Sequence, residues 1–171
     1  GAKFNEEKLD WINREHIKKL PPEEIEKNIL TWLPENMQKN NISPKLVPVI
    51  LERISKWADV KDMAERGELD FFFNIPEYDK AKLIYKNTSP EKISNNLKMI
   101  IKTLENIDEV NFTLENIKNA LMLLADAEGS RGEVLHPVRY ALSGRDKSPD
   151  PFIIASILGK NETLSRLQKA I

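Results

Sequence analysis

Cysteine is absent from the 171 residues, so neither a disulfide framework nor a thiolate metal site is available. Histidine is scarce. His16 and His136 stand far apart, and neither has a companion at metal-ligand spacing. His16 is expected to pack on the apolar stripe of the first helix, and His136, just before Pro137, to sit at the surface. The glycines number six and form neither a phosphate-cradling loop nor a G-x-S-x-G elbow. No nucleophile has a recognisable base beside it. Glu6-Glu7 and Glu23-Glu24 fall in first helical turns, where the macrodipole accounts for paired acids without catalysis. The chain therefore offers no constellation for an enzyme, a metal site or a cofactor of its own. No apolar run approaches the roughly 20 residues needed to cross a bilayer, and no signal peptide opens the chain. That speaks against a membrane partner, and the missing cysteines fit a reducing cytoplasm.

A strong excess of either charge is missing too. The net charge is −1, which argues against a broad electrostatic footprint for nucleic acid, DNA included. From Gly129 onward, however, seven basic residues stand against four acidic ones. That third of the chain is compatible with phosphate contact.

What is present is helical periodicity. Ile93, Leu97, Ile100, Leu104 and Ile107 form one long apolar stripe, and Leu114, Ile117, Leu121 and Leu124 another. Leu9, Ile12 and His16 repeat the pattern, as do Ile25, Ile29 and Trp32. No segment alternates as a half-buried strand would. Ser43-Pro44, Ser89-Pro90 and Ser148-Pro149 put a capping hydroxyl before proline, and Thr113 is a further cap. Gly67, Gly129 and Gly159 stand where left-handed helix ends are expected. The spacing predicts an all-α fold with helices over 6–19, 22–33, 44–57, 59–66, 79–86, 90–107, 113–128, 133–142, 151–158 and 162–170.

A boundary between two helical lobes, 1–75 and 76–171, is expected near Phe71-Phe72-Phe73. Three consecutive phenylalanines cannot share one side of a helix. They read as a hydrophobic plug or, alternatively, as an exposed aromatic surface. Trp11, Trp32 and Trp57 are expected to pack in the core or at its edge.

Several stretches carry a more specific signal. Lys8-Leu9-Asp10-Trp11-Ile12-Asn13 is followed by His16-Ile17, and Leu51-Glu52-Arg53-Ile54-Ser55-Lys56-Trp57-Ala58-Asp59-Val60 lies in the middle of the chain. Near the end come Gly132-Glu133-Val134-Leu135-His136-Pro137-Val138-Arg139-Tyr140-Ala141-Leu142-Ser143-Gly144, then Ser148-Pro149-Asp150-Pro151-Phe152, Leu158-Gly159-Lys160 and Leu164-Ser165-Arg166-Leu167. Together these resemble the C-terminal anticodon-binding region of bacterial-type glutamyl-tRNA synthetases, with spacings that agree over some forty residues at the C-terminus. The resemblance is thin between Ile75 and Asn111.

The resemblance implies a two-lobed helical cage that grips the anticodon loop of the tRNA for glutamate. It implies that the catalytic motifs lie elsewhere in the parent, a cytoplasmic and monomeric glutamate–tRNA ligase that uses ATP and magnesium. It places Arg53 at the third anticodon base, in the manner of an enzyme that rejects the glutamine tRNA. It gives Arg139 an anticodon contact, and Ser148, Pro149, Pro151 and Phe152 the cradle for the first two bases. Pro151 departs from the family's usual apolar residue. Arg145 and Lys147, additions to the pattern, read as sequence-blind phosphate contacts or as a solvated charged loop. Without the family context, Arg53 reads as a surface arginine paired with an acid. A protein-interaction module using the Phe71–Phe73 region, and a related synthetase with a changed RNA, are the competing readings.

Overall fold

The computed structural model describes residues 5–38 and 42–171. Among the described residues there are eleven α-helices and no strand, in agreement with the all-α expectation. The chain divides into two compact units, Gly1–Phe73 and Asn74–Ile171.

In the first unit, α1 (Glu6–Lys18) starts at Asn5, whose side chain accepts from the Lys8 amide. α2 (Pro22–Trp32) packs on α4 (Leu46–Leu51) and α5 (Ala58–Glu65). Ile29, Ile50, Ile54 and Val60 close that core with essentially no exposure. Two further four-residue helices, α3 (Glu35–Gln38) and α6 (Asp70–Phe73), complete the unit.

The first-helix stripe is a weaker packing face than its period suggested. Only Ile17 of α1 is buried; His16 is exposed, Leu9 is 42% exposed and Trp11 61%. Trp32 is 39% exposed and Trp57 half-buried. The predicted helix 44–57 also stops early, after Leu51. One Asp59 carboxylate oxygen accepts from the amides of Ser55 (2.7 Å) and Lys56 (3.0 Å). Those N–H groups would otherwise point back to carbonyls four residues earlier, so the side chain competes the helix away. Ser43 is not the cap of α4: its carbonyl, not its hydroxyl, accepts from Leu46.

The second unit is built on three long helices, α7 (Pro90–Glu105), α8 (Leu114–Ala127) and α9 (Arg131–Ser143), with α10 (Pro151–Leu158) and α11 (Lys160–Ala170) closing it. α7 packs against α8, α9 and α11, while α10 packs on α8, α9 and α11. Leu97, Ile100 and Leu104 of α7 meet Ile117 and Leu121 of α8 and Val134, Val138 and Leu142 of α9 in a fully buried core. Each such side chain contributes about 1.5–3 kcal/mol by leaving water. The caps at Ser89 and Thr113 form as expected, accepting from Lys92 and Asn116. The segment predicted as a helix over 79–86 is only a 3-10 turn, Lys80–Leu83, begun by the Asp79 side chain.

Proline lies inside α9 at position 137 without breaking it. Its missing N–H leaves the Glu133 carbonyl without a helical donor. Asn96, 1% exposed on α7, donates its side-chain amide to that carbonyl at 3.1 Å. The defect is thus repaired from the neighbouring helix.

Candidate nucleic-acid interface

The end of α9 and the loop that follows form the most tightly organised polar feature of the second unit. Gly144 terminates the helix with φ +63°, its amide bonded to the Tyr140 carbonyl at 2.7 Å. A side chain there would meet resistance twice, from the left-handed backbone and from Pro76, whose Cβ lies 2.8 Å from where a Cβ would stand. The buried Ser143 hydroxyl donates to the Arg139 carbonyl (2.7 Å) and accepts from the Arg145 amide (3.2 Å).

Arg139 fastens the rest of the loop. Its Nη1 lies 3.1 Å from the Arg145 carbonyl, 3.0 Å from the Asp146 carbonyl and 3.1 Å from the Ser148 hydroxyl. Two N–H groups serve three acceptors, which only a planar guanidinium fixed in direction does well. Ser148 is therefore an acceptor for Arg139 and not the cap of α10, which begins two residues later at Asp150–Pro151. Asp146 is held on its outer side by Lys82, 3.5 Å away. Arg145 is half-buried and Lys147 exposed, on a loop whose backbone is tied from within.

Pro151 and Phe152 are buried, Phe152 with 7% of its surface exposed. The expected stacking face is not available on this ring; it anchors the start of α10 in the core. Pro149, half-buried, remains beside the loop surface. Arg53 belongs to the first unit. It lies on the turn after α4, not on a helix, with its amide bonded to the Ile50 carbonyl (2.9 Å). Its guanidinium pairs with Glu68 at 3.1 Å and stays 43% exposed. Glu68 is set in place by a helix end at Gly67 (φ +68°), where the Glu68 amide reaches back to the Met63 carbonyl and the Gly67 amide to Ala64. Glu68 is half-buried and also accepts from Arg66 Nε at 2.7 Å; a pair at the surface edge contributes about 0–1 kcal/mol, and Glu68 keeps a partner when Arg53 exchanges.

One residue of consequence was missed. Arg166 is 3% exposed and donates to the Leu142 carbonyl (2.8 Å), the Asn74 carbonyl (3.2 Å) and the Glu162 carboxylate (2.7 Å). It ties the last turn of α9 to the first residue of the unit. Its signal was present: position 166 falls on the buried stripe Thr163, Leu167 and Ala170, where a cation must have partners. Lys160 does similar work at α7, donating to the carbonyls of Glu105 (2.8 Å) and Ile107 (2.7 Å). His136, predicted at the surface, is half-buried, with one ring nitrogen 2.9 Å from the Lys82 carbonyl. Among the described residues, no group of three His, Cys, Asp or Glu is placed to hold a metal ion. No helix among them is long and apolar enough to cross a membrane.

The profile of the family described as an anticodon binding domain matches residues 5–171. The chain belongs to that family. Its curated relatives include the glutamate–tRNA ligase of Clostridium kluyveri, 36% identical over 99% of this chain and 34% of that protein. The ligase of Flavobacterium johnsoniae is 35% identical over all of this chain and 33% of its own length. Among solved structures, a glutamate tRNA ligase from Elizabethkingia meningosepticum, crystallised in complex with its amino acid, superposes with a TM-score of 0.73 at 30% identity. It is matched over 99% of this chain and 33% of its own. The glutamate–tRNA synthetase of Elizabethkingia anophelis gives 0.66 at 28% identity, over 100% of this chain and 32% of its own. The chain thus spans about a third of the length of the relatives it matches.

Proposed function

We propose that this domain reads the anticodon loop of the tRNA for glutamate as part of a cytoplasmic, monomeric glutamate–tRNA ligase. The attachment of glutamate, with its ATP and magnesium, belongs to the remainder of that ligase. The observation that carries the reading is the Arg139-fastened loop 144–148, set within an anticodon-binding domain whose relatives are glutamate–tRNA ligases. A backbone already ordered before binding loses little conformational entropy when RNA arrives. Lys147, exposed, and Arg145 beside it are the loop's phosphate contacts, while Ser148 and Pro149 flank the surface where unpaired bases would be splayed. Arg139 acts chiefly through the loop, with its remaining guanidinium edge available to a base. Pro151 and Phe152 support that surface from beneath.

Arg53 supplies selectivity at the third anticodon base. A guanidinium held by one half-buried carboxylate, which keeps Arg66 as a partner, exchanges onto a pyrimidine's acceptors without stranding that carboxylate. Arg53→Gln in the full-length ligase is expected to narrow the preference for the glutamate tRNA over the glutamine tRNA. An unchanged preference would remove Arg53 from this role.

The reading is tested by gel shift of the chain against glutamate, glutamine and unrelated tRNAs at two salt concentrations. Preferential, salt-sensitive retention of the glutamate tRNA is expected. Salt-tolerant association without preference among tRNAs would favour a protein-interaction module instead.

A further inference from the structure

Beside the 144–148 loop lies a hollow of about 240 Å3, between the segment 75–80 and the end of α11. Its walls are apolar: Ile75, 51% exposed, with Pro76 and the half-buried ring of Tyr78, over a floor at Ala141. Its rim is basic, with the exposed side chains of Lys80 and Lys169. The buried Arg166 guanidinium lies below, its bonds going to two carbonyls and its charge offset by Glu162 at 2.7 Å, so the basic character of the hollow comes from the two lysines. Glu77 is the one carboxylate in the lining. Burial raises the Tyr78 phenol above its usual range, opposed by the nearby Arg166 charge, so the ring stays neutral against an arriving anion.

The hollow and the loop are parts of one surface. Pro76, Glu77 and Tyr78 pack directly on Gly144, the first residue of the loop. The volume falls below the roughly 300–1,000 Å3 of pockets built for drug-sized ligands. Apolar walls with an aromatic ring suit a base, and a lysine rim suits the phosphate attached to it. We propose that this hollow is a nucleotide subsite, taking one unpaired RNA residue adjoining the segment on the loop, with its base against Ile75, Pro76 and Tyr78 and its phosphate against Lys80 and Lys169. The subsite rests on the RNA-binding reading above and extends it to a second place on the unit.

Three proteins distinguish the two: the parent chain, Lys80→Ala/Lys169→Ala, and Ile75→Glu, each titrated with the glutamate tRNA across a range of salt. All three changes are at exposed positions, and unchanged melting temperatures verify the fold. The double variant is expected to bind about 3- to 10-fold more weakly at low salt. Its salt-dependence slope should fall by about 0.7, the contribution of one single-strand phosphate contact. Ile75→Glu places a carboxylate against the base and is expected to weaken binding at least as much. Unaltered affinity and slope in both variants, with the parent binding normally, would overturn the subsite and leave the domain's RNA-binding role standing. Failure of the parent chain itself to bind tRNA would remove both.

Discussion

Asn96 and Glu133 are joined by a hydrogen bond that exists because of a third residue. Pro137 deprives the Glu133 carbonyl of its donor within α9, and the Asn96 amide replaces it from α7 at 3.1 Å. The bond fixes two helices relative to each other nearly two turns before Arg139, so the helix carrying the loop clamp is held by a buried side chain of its neighbour.

Asn96→Leu should leave that carbonyl buried and unsatisfied. A loss of about 1–3 kcal/mol is expected in chemical denaturation. In a Pro137→Ala background, where residue 137 again supplies an N–H, the same change should cost less. Equal costs in the two backgrounds would contradict the repair.

Arg139→Lys keeps the charge and loses the geometry. One ammonium cannot serve the carbonyls of Arg145 and Asp146 and the Ser148 hydroxyl in the directions a guanidinium does. Faster amide exchange is expected across 145–148, with a stability loss of about 1–2 kcal/mol. Ser148→Ala removes one acceptor of the three and should change exchange far less.

Gly144→Ala tests the helix end at the same loop. A non-glycine residue at φ +63° costs about 1–2 kcal/mol, and the added methyl would press on Pro76. The unfolding free energy should fall by more than that amount. Gly129→Ala, where nothing lies within 4 Å of the added carbon, should incur only the backbone cost.

Acid should act at Glu133. The hydrogen bond from Lys92 holds its carboxyl below the usual range, with Thr88 adding to the effect. A group whose folded pKa is depressed stabilises above its unfolded value, and that stability is lost as pH falls through the folded value. Lys92→Met should therefore reduce the melting temperature at neutral pH, and the difference from the parent should close below about pH 4. A constant difference down to pH 2 would rule the linkage out.

The second unit was legible in the sequence where side-chain spacing alone decides the outcome. α7 and α8 follow their apolar stripes, and Ser89 and Thr113 cap them because hydroxyl and amide stand three residues apart. Legibility failed where one side chain redirects the backbone. Asp59 halts the helix expected to reach residue 57, and Arg139 draws Ser148 away from capping α10. Stripe counting also overrated α1, whose Trp11 and His16 are exposed. The motif around Arg139 located the loop. It did not reveal that Phe152 is buried, since an aromatic next to a proline suits a core and a surface equally well.

Discrimination between anticodon bases is tested with RNA that carries little besides the anticodon. The chain is titrated with a hairpin comprising the anticodon stem and loop of the glutamate tRNA, and with the same hairpin altered at the first two anticodon bases. Tighter binding of the unaltered hairpin at moderate salt, with the difference abolished by Arg139→Ala, is the predicted result. Equal affinity for both hairpins would contradict it.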